Sequence, residues 1–161
     1  MADTTVSIES TATRTDDLDG RFLTFYIGDV LYGIELANVI EIISVPLVTR
    51  VPGLPEYIKG IINLRGKVVS IIDVRLKFNQ EERAYDGKTC IIVVTIHDMT
   101  VGLVVDSVAG VLSVDPNQST PPPDLGVSCS DKYLKSIARV DGKIVMNIDC
   151  EKFFQSDLAI Y

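Results

Sequence analysis

At 161 residues the chain suits one ordinary domain or two very small ones, and 47% hydrophobic residues are enough to bury a core. Fifteen Lys and Arg against 22 Asp and Glu leave a net charge of −7, which argues against nucleic acid and against charge-driven binding to an anionic membrane, since both rest on clustered basic residues. No apolar run approaches the roughly 18 to 20 residues needed to span a bilayer.

The first residues, MADTTVSIESTATRTDD, carry no basic region followed by an apolar run, so no secretory signal is expected and the expected location is the cytosol. Residues 1–19 are rich in Thr, Ser and Asp and are expected to form a disordered tail. From Phe22 the character changes to short β-type runs broken by turn signals. FLTFYI, Gly28-Asp29 and VLYGIEL predict a hairpin with a two-residue turn. GIINL, Arg65-Gly66 and KVVSIID predict a second, and IIVVTI, His97-Asp98 and MTVGLVV a third. KSIARV, Asp141-Gly142 and KIVMNID predict a fourth, around a strong Asp-Gly turn. Helical pieces are few: Val74–Phe78, the turn after Leu36, and a C-terminal piece near Glu151–Phe154. The predicted folded region is 20–155, with a tail at 156–161.

An internal repeat organises these elements. Shifted by 69 residues, IGDVLYGIELANVIEIISV (27–45) lies over IHDMTVGLVVDSVAGVLSV (96–114), with Ile27, Asp29, Gly33, Val39, Ser44 and Val45 recurring identically. Shifted by 76, YIKGIINLRGKVVSIID (57–73) lies over YLKSIARVDGKIVMNID (133–149), with Tyr57, Lys59, Ile61, Gly66, Lys67, Val69, Ile72 and Asp73 recurring. The longer offset places seven extra residues in the second connection, where Pro121-Pro122-Pro123 sits. The predicted fold is therefore mostly β: a duplicated unit of about 65 residues, the first spanning about 20–85 and the second about 89–155, with strands free to swap. A unit this small is marginal alone. Five short, strongly twisted strands can close into a small barrel that hides its edges, and two such barrels leave a groove suited to a partner helix.

The residues offer little for catalysis. His97, the sole histidine, falls at a predicted hairpin tip, and neither GxGxxG nor GxxxxGK[ST] occurs. Asp29, Asp98, Asp73 and Asp149 hold repeat-equivalent turn or strand-end positions, which points to hydrogen-bonded turn residues. Cys90, Cys129 and Cys150 form no CxxC pair, and with one histidine no zinc site is expected. No cofactor and no metal is expected, and the chain reads as a binder. A small β-barrel enzyme or ligand-binding module is the rival reading. Two polar residues differ from their twins. Glu41 interrupts the apolar run VIEII where the second unit has Gly110, and Arg65 stands where it has Asp141. A carboxylate in such a run needs a cation, and Arg offers a bidentate one. The two predict either an internal ion pair or a partner contact, and both hold if the pair shapes a binding edge.

The chain resembles the CheW family of chemotaxis coupling proteins. The resemblance rests on Tyr32-Gly33-Ile34, Val39-Ile40-Glu41-Ile42, and the block from Pro55 through Ile58-Lys59-Gly60 to Asn63-Leu64-Arg65-Gly66. Ile72-Asp73-Val74-Arg75-Leu76-Lys77-Phe78 and Val101-Gly102-Leu103-Val104-Val105-Asp106 complete it, in order, over about residues 20–155. It implies two intertwined SH3-like five-stranded β-barrels with a short C-terminal helix, and a non-enzymatic cytoplasmic adaptor recruited to membrane-associated receptor arrays. The implied partners are the regulatory domain of a CheA-type histidine kinase and the cytoplasmic tip of methyl-accepting chemoreceptors. Carried over by position, the receptor-binding groove would include Val39, Gly60, Cys90, Val105 and Val111. The kinase-binding surface would draw on Ile42, Leu47, Val48 and Lys59. Cys90 departs from the aliphatic residue usual there. The same domain also occurs in the kinase itself and in CheV-type proteins; 161 residues leave no room for an ATP-binding module, and a chain ending at Tyr161 is expected to lack a receiver domain.

Overall fold

The computed structural model describes residues 6–7, 20–122 and 133–158. The four predicted hairpins form as read: β2 (Arg21–Ile27) with β3 (Val30–Glu35), β5 (Ile58–Leu64) with β6 (Lys67–Asp73), β7 (Cys90–Ile96) with β8 (Met99–Val105), and β11 (Leu134–Val140) with β12 (Lys143–Ile148). Three of their turns place both central residues at positive φ, Arg65 and Gly66 at 52° and 83°, His97 and Asp98 at 48° and 66°, Asp141 and Gly142 at 53° and 77°. That is the type I′ geometry whose twist matches the flanking strands. Strands β4 (Val39–Ser44), β9 (Ser107–Ser113) and β10 (Ser119–Thr120) complete the main set.

Neither sheet is built from one half of the sequence. One sheet runs β1-β4-β7-β8-β6-β5 and the other β9-β2-β3-β12-β11-β10. Each unit thus lends its first hairpin to the other unit's remaining strands. The two orders coincide under the repeat: β4 answers to β9, β7–β8 to β2–β3, and β5–β6 to β11–β12. Each barrel closes in the same way. Thr49, beyond the end of β4, exchanges both backbone hydrogen bonds with Ile61 of β5 at 2.9 and 2.8 Å, and β10 pairs Thr120 with Ile137, the repeat partner of Ile61.

This arrangement explains the apolar runs. In β7, Ile92, Val94 and Ile96 face a central core shared by both sheets, while Ile91 and Val93 fill the interior of their own barrel. Strands covered on both faces read as continuous apolar sequence rather than alternation. The central core takes Leu23, Phe25 and Ile27 from β2 and Val101, Leu103 and Val105 from β8, so burial across the junction joins the halves.

Helices α1 (Val74–Lys77) and α2 (Cys150–Leu158) follow β6 and β12. Asp73 accepts from the Leu76 amide at 3.3 Å and Asp149 from the Lys152 amide at 3.2 Å, each capping its helix. The backbone amides of the same aspartates donate to the carbonyls of Tyr57 and Tyr133, so the duplication extends to single hydrogen bonds. Two sequence boundaries shift. Helix α2 carries regular structure through Leu158, beyond residue 155, with Phe153 and Phe154 buried. Within the expected N-terminal tail, Val6–Ser7 form a short strand, β1, antiparallel to Ile42 and Glu41 of β4. The rest of that tail, the Pro123 end of the proline run, Cys129 and residues 159–161 lie outside the described residues.

Candidate binding sites and family

Glu41 sits in β4 just past a register shift between Val39 and Glu41, in a stretch where Ile42 and Ile43 are buried too, and its side chain is 4% exposed. Arg65 projects from the β5–β6 turn and is 65% exposed. Its Nη2 donates to both carboxylate oxygens, to Oε1 at 2.7 Å and also to Oε2. One nitrogen therefore bridges the two oxygens, in place of the two-pronged geometry the residue types allow. The pair ties β4 to the β5–β6 hairpin across the barrel mouth.

A cleft of about 890 Å³ opens where β4 and the start of β7 meet the start of β9 in the other sheet. Ile42, Val45, Cys90 and Val108 give it apolar walls, and the 85–89 loop forms its rim. Cys90 is half-buried; burial pushes its thiol up to about 11, partly offset by a hydrogen bond its sulfur accepts from the Val108 backbone, so it lines the cleft as a neutral group. Opposite Cys90 in register lies Val105, buried with Val39 in the central core. Those two valines are outside the cleft's lining and present almost no surface of their own. Val111, on β9, is 46% exposed. Ile42, expected on the kinase-binding surface, lines the same cleft as Cys90.

The other expected positions gather elsewhere. Gly60 adopts φ 145°, and a Cβ there would collide with the Thr49 carbonyl oxygen and lie 2.9 Å from Val48 Cγ1. Gly60 is thus a close-approach position under the closing Thr49 bridge, set beside Val48 rather than beside Cys90. Its neighbour Lys59 pairs with Glu82 at 2.5 Å, along a cleft of about 410 Å³ under the 50–56 loop. Leu47, at the start of that connection, is 95% exposed.

Sequence reasoning missed two clusters. Asp106 accepts from Arg75 Nε at 3.0 Å and Nη2 at 2.9 Å, from Arg83 Nη1 at 3.1 Å and from the Gly28 amide at 2.7 Å. Burial alone would raise this carboxyl, but these donors hold it below its ordinary range, and the same contacts raise Arg75. Lys77 is buried with its ammonium 4.4 Å from the Tyr57 ring centroid and 5.2 Å from that of Phe153, a cation–π arrangement. The arginine and the aspartate were both visible in quoted blocks; nothing in their separation joined them.

As for chemistry, His97 lies at the β7–β8 tip, 63% exposed, with Nε2 3.1 Å from Glu151 Oε1. Among the described residues no three His, Cys, Asp or Glu side chains gather to hold a metal ion. No described helix is long and apolar enough to cross a membrane.

The model of the CheW-like domain family matches residues 21–158. The chain belongs to the CheW-like family. A chemotaxis protein CheW of Klebsiella aerogenes is 39% identical over 136 residues, covering 84% of this chain and 82% of that one. Protein FrzA of Myxococcus xanthus is 27% identical over 121 residues, 75% of each chain. The crystal structure of the scaffolding protein TtCheW from Thermoanaerobacter tengcongensis superposes with a TM-score of 0.75 at 33% identity, covering 80% of this chain and 88% of that one.

The blocks that carried the CheW resemblance acquire physical roles in the fold. Asn63-Leu64-Arg65-Gly66 supplies the type I′ turn, with Asn63 Oδ1 accepting from the Gly66 amide at 2.8 Å, and sends Arg65 to Glu41. The Ile72-to-Phe78 block provides a strand end, a cap and Arg75. The Val101-to-Asp106 block provides a strand buried on both faces and the carboxylate that holds Arg75.

Proposed function

We propose that this protein is a non-enzymatic adaptor of chemotaxis signalling, coupling methyl-accepting chemoreceptor tips to the regulatory domain of a CheA-type histidine kinase. Membership of the CheW-like family supports a chemotaxis role, and the kinship with a solved scaffolding protein supports an adaptor. The observation that carries the reading is the apolar cleft between the two sheets. Ile42, Val45, Cys90 and Val108 offer a continuous surface that suits the apolar stripe of a helical hairpin. In this reading the receptor tip docks there, with Val39 and Val105 acting from the core and Val111 farther along β9. The kinase domain docks on Leu47, Val48 and Lys59, above Gly60. The adaptor works in the cytoplasm and joins membrane-associated receptor arrays through these contacts. Calorimetry with a purified kinase regulatory domain and a receptor-tip hairpin tests it. Each should bind, singly and together, and the pure protein should hydrolyse no ATP. ATP turnover, or mutual exclusion of the two partners, would overturn the proposal.

A further inference from the structure

The repeat would give the cleft at Cys90 a counterpart in the other barrel, where Val45 and Thr89 are answered by Val114 and Gly20. There the chain zips shut. Beyond the last β2–β9 pair, Arg21 with Ser113, the Val114 amide donates to the Gly20 carbonyl at 2.7 Å, and Val114 is buried. The β4–β7 ladder ends at Ser44 and Cys90, and Val45 and Thr89 beyond it both line the cleft. Thr89 turns its amide to the carbonyl and Oδ1 of Asp86 instead, each at 3.2 Å. The connection between the two units, residues 79–89, thus walls a cleft that the other barrel closes.

That wall is tied down at three points. Glu82 pairs with Lys59 at 2.5 Å, Arg83 donates to Asp106 at 3.1 Å, and the Tyr85 hydroxyl donates to Asp73 Oδ2 at 2.9 Å. Asp73 is 2% exposed, and its other oxygen caps α1. Tyr85 is therefore anchored at its polar end, with the Lys59 ammonium 6.0 Å from its ring centroid, yet it stays 38% exposed. Among the described residues lining the cleft it is the one aromatic side chain. Because its hydroxyl is satisfied inward, the ring is what it offers a partner. A side chain already held in place loses little freedom on binding, and tyrosines are enriched among the few residues that dominate interface energies.

We infer that Tyr85 is the anchoring contact of this cleft, its ring packing against an aliphatic side chain of the helix that docks there. The inference rests on the receptor-docking reading above and names the residue that decides affinity within it. Calorimetric titration of the full chain and of its Tyr85→Ala and Tyr85→Phe variants tests it, with the receptor-tip hairpin and, separately, the kinase regulatory domain. Tyr85→Ala should weaken the hairpin about thirtyfold. Tyr85→Phe keeps the ring and drops the bond to Asp73, and should weaken it by no more than about threefold. Both variants should bind the kinase domain as the parent does. A parent that fails to bind the hairpin would sink the docking reading and this inference with it. A parent that binds, with Tyr85→Ala binding equally well, would sink the inference alone. A loss in Tyr85→Phe as large as in Tyr85→Ala, or a matching loss of the kinase domain, would assign Tyr85 to fixing the loop and overturn its role as a contact.

Discussion

Breaking the Glu41–Arg65 pair from its two ends should cost different amounts. The carboxylate is 4% exposed and the arginine 65% exposed. Severing a fully buried pair from one side costs about 3–5 kcal/mol, whereas an exposed pair is worth about 0–1 kcal/mol. Arg65→Gln keeps a side chain at the left-handed turn position (φ 52°) but strands a buried carboxylate, so it should cost about 2 kcal/mol. Glu41→Gln returns the guanidinium to water and leaves a neutral amide of the same shape, at about 1 kcal/mol. For a chain of this length a loss of about 2 kcal/mol lowers Tm by about 4–8 °C. The double variant leaves no stranded charge, so it should be more stable than the sum of the single losses predicts. Calorimetric melts and urea titrations of the four proteins give the cycle. Arg65→Gln melting within about 1 °C of the parent would show that the buried carboxylate does not depend on Arg65. If that variant also lost a partner, the pair would belong to a contact surface.

Gly60→Ala should destabilise by about 3 kcal/mol or more, because the new Cβ meets the Thr49 carbonyl and the residue must hold φ 145°; an unchanged urea midpoint would contradict this. Asp106 is held below its unfolded value, so its contribution to stability is present above about pH 4 and fades as pH falls through the lower folded value. Arg75→Ala should flatten that acid limb in pH-dependent urea titrations, and parallel curves would exclude the bridge as its cause. Leu47 and Val111 are exposed enough for the free fold to accept a charge, 95% and 46%. Leu47→Glu should weaken kinase-domain binding about thirtyfold and spare the receptor tip, and Val111→Glu the reverse, since each charge is buried unpaired only in one complex. Equal loss of both partners in either folded variant would mean one shared surface.

The hairpins were legible because each turn had to be made by residues that accept positive φ, and Arg65-Gly66, His97-Asp98 and Asp141-Gly142 are flanked on both sides by short β-type runs. Glu41 was legible because a charge inside VIEII demands an explanation. Which strands pair was not. β7 could meet β9 of its own unit or β4 of the other, and both offer the same apolar positions in the same register. Only the three-dimensional requirement that two small units share one core selects the exchange. Strand β1 left no signal, since two residues in a polar tail carry no periodicity.

The same exchange makes the places where the repeat is broken the places where the two barrels differ. Two identical units would place identical surfaces on both barrels and offer a partner no way to tell one end from the other. Where the helix-capping aspartates Asp73 and Asp149 are kept alike, four other polar positions depart from their twins: Glu41 against Gly110, Arg65 against Asp141, Arg75 against Glu151, Asp106 against Ala37. Apolar twins keep the barrels alike, and charged departures make the ends distinct. The first barrel uses its departures to close on itself, through Arg65–Glu41 and through Arg75–Asp106. In the second, the position equivalent to Asp106 is an exposed alanine, and the residue equivalent to Arg75, Glu151, pairs with His97 and remains mostly in water. An adaptor that must present different faces to different proteins needs that asymmetry, and a duplicated fold acquires it with a handful of substitutions.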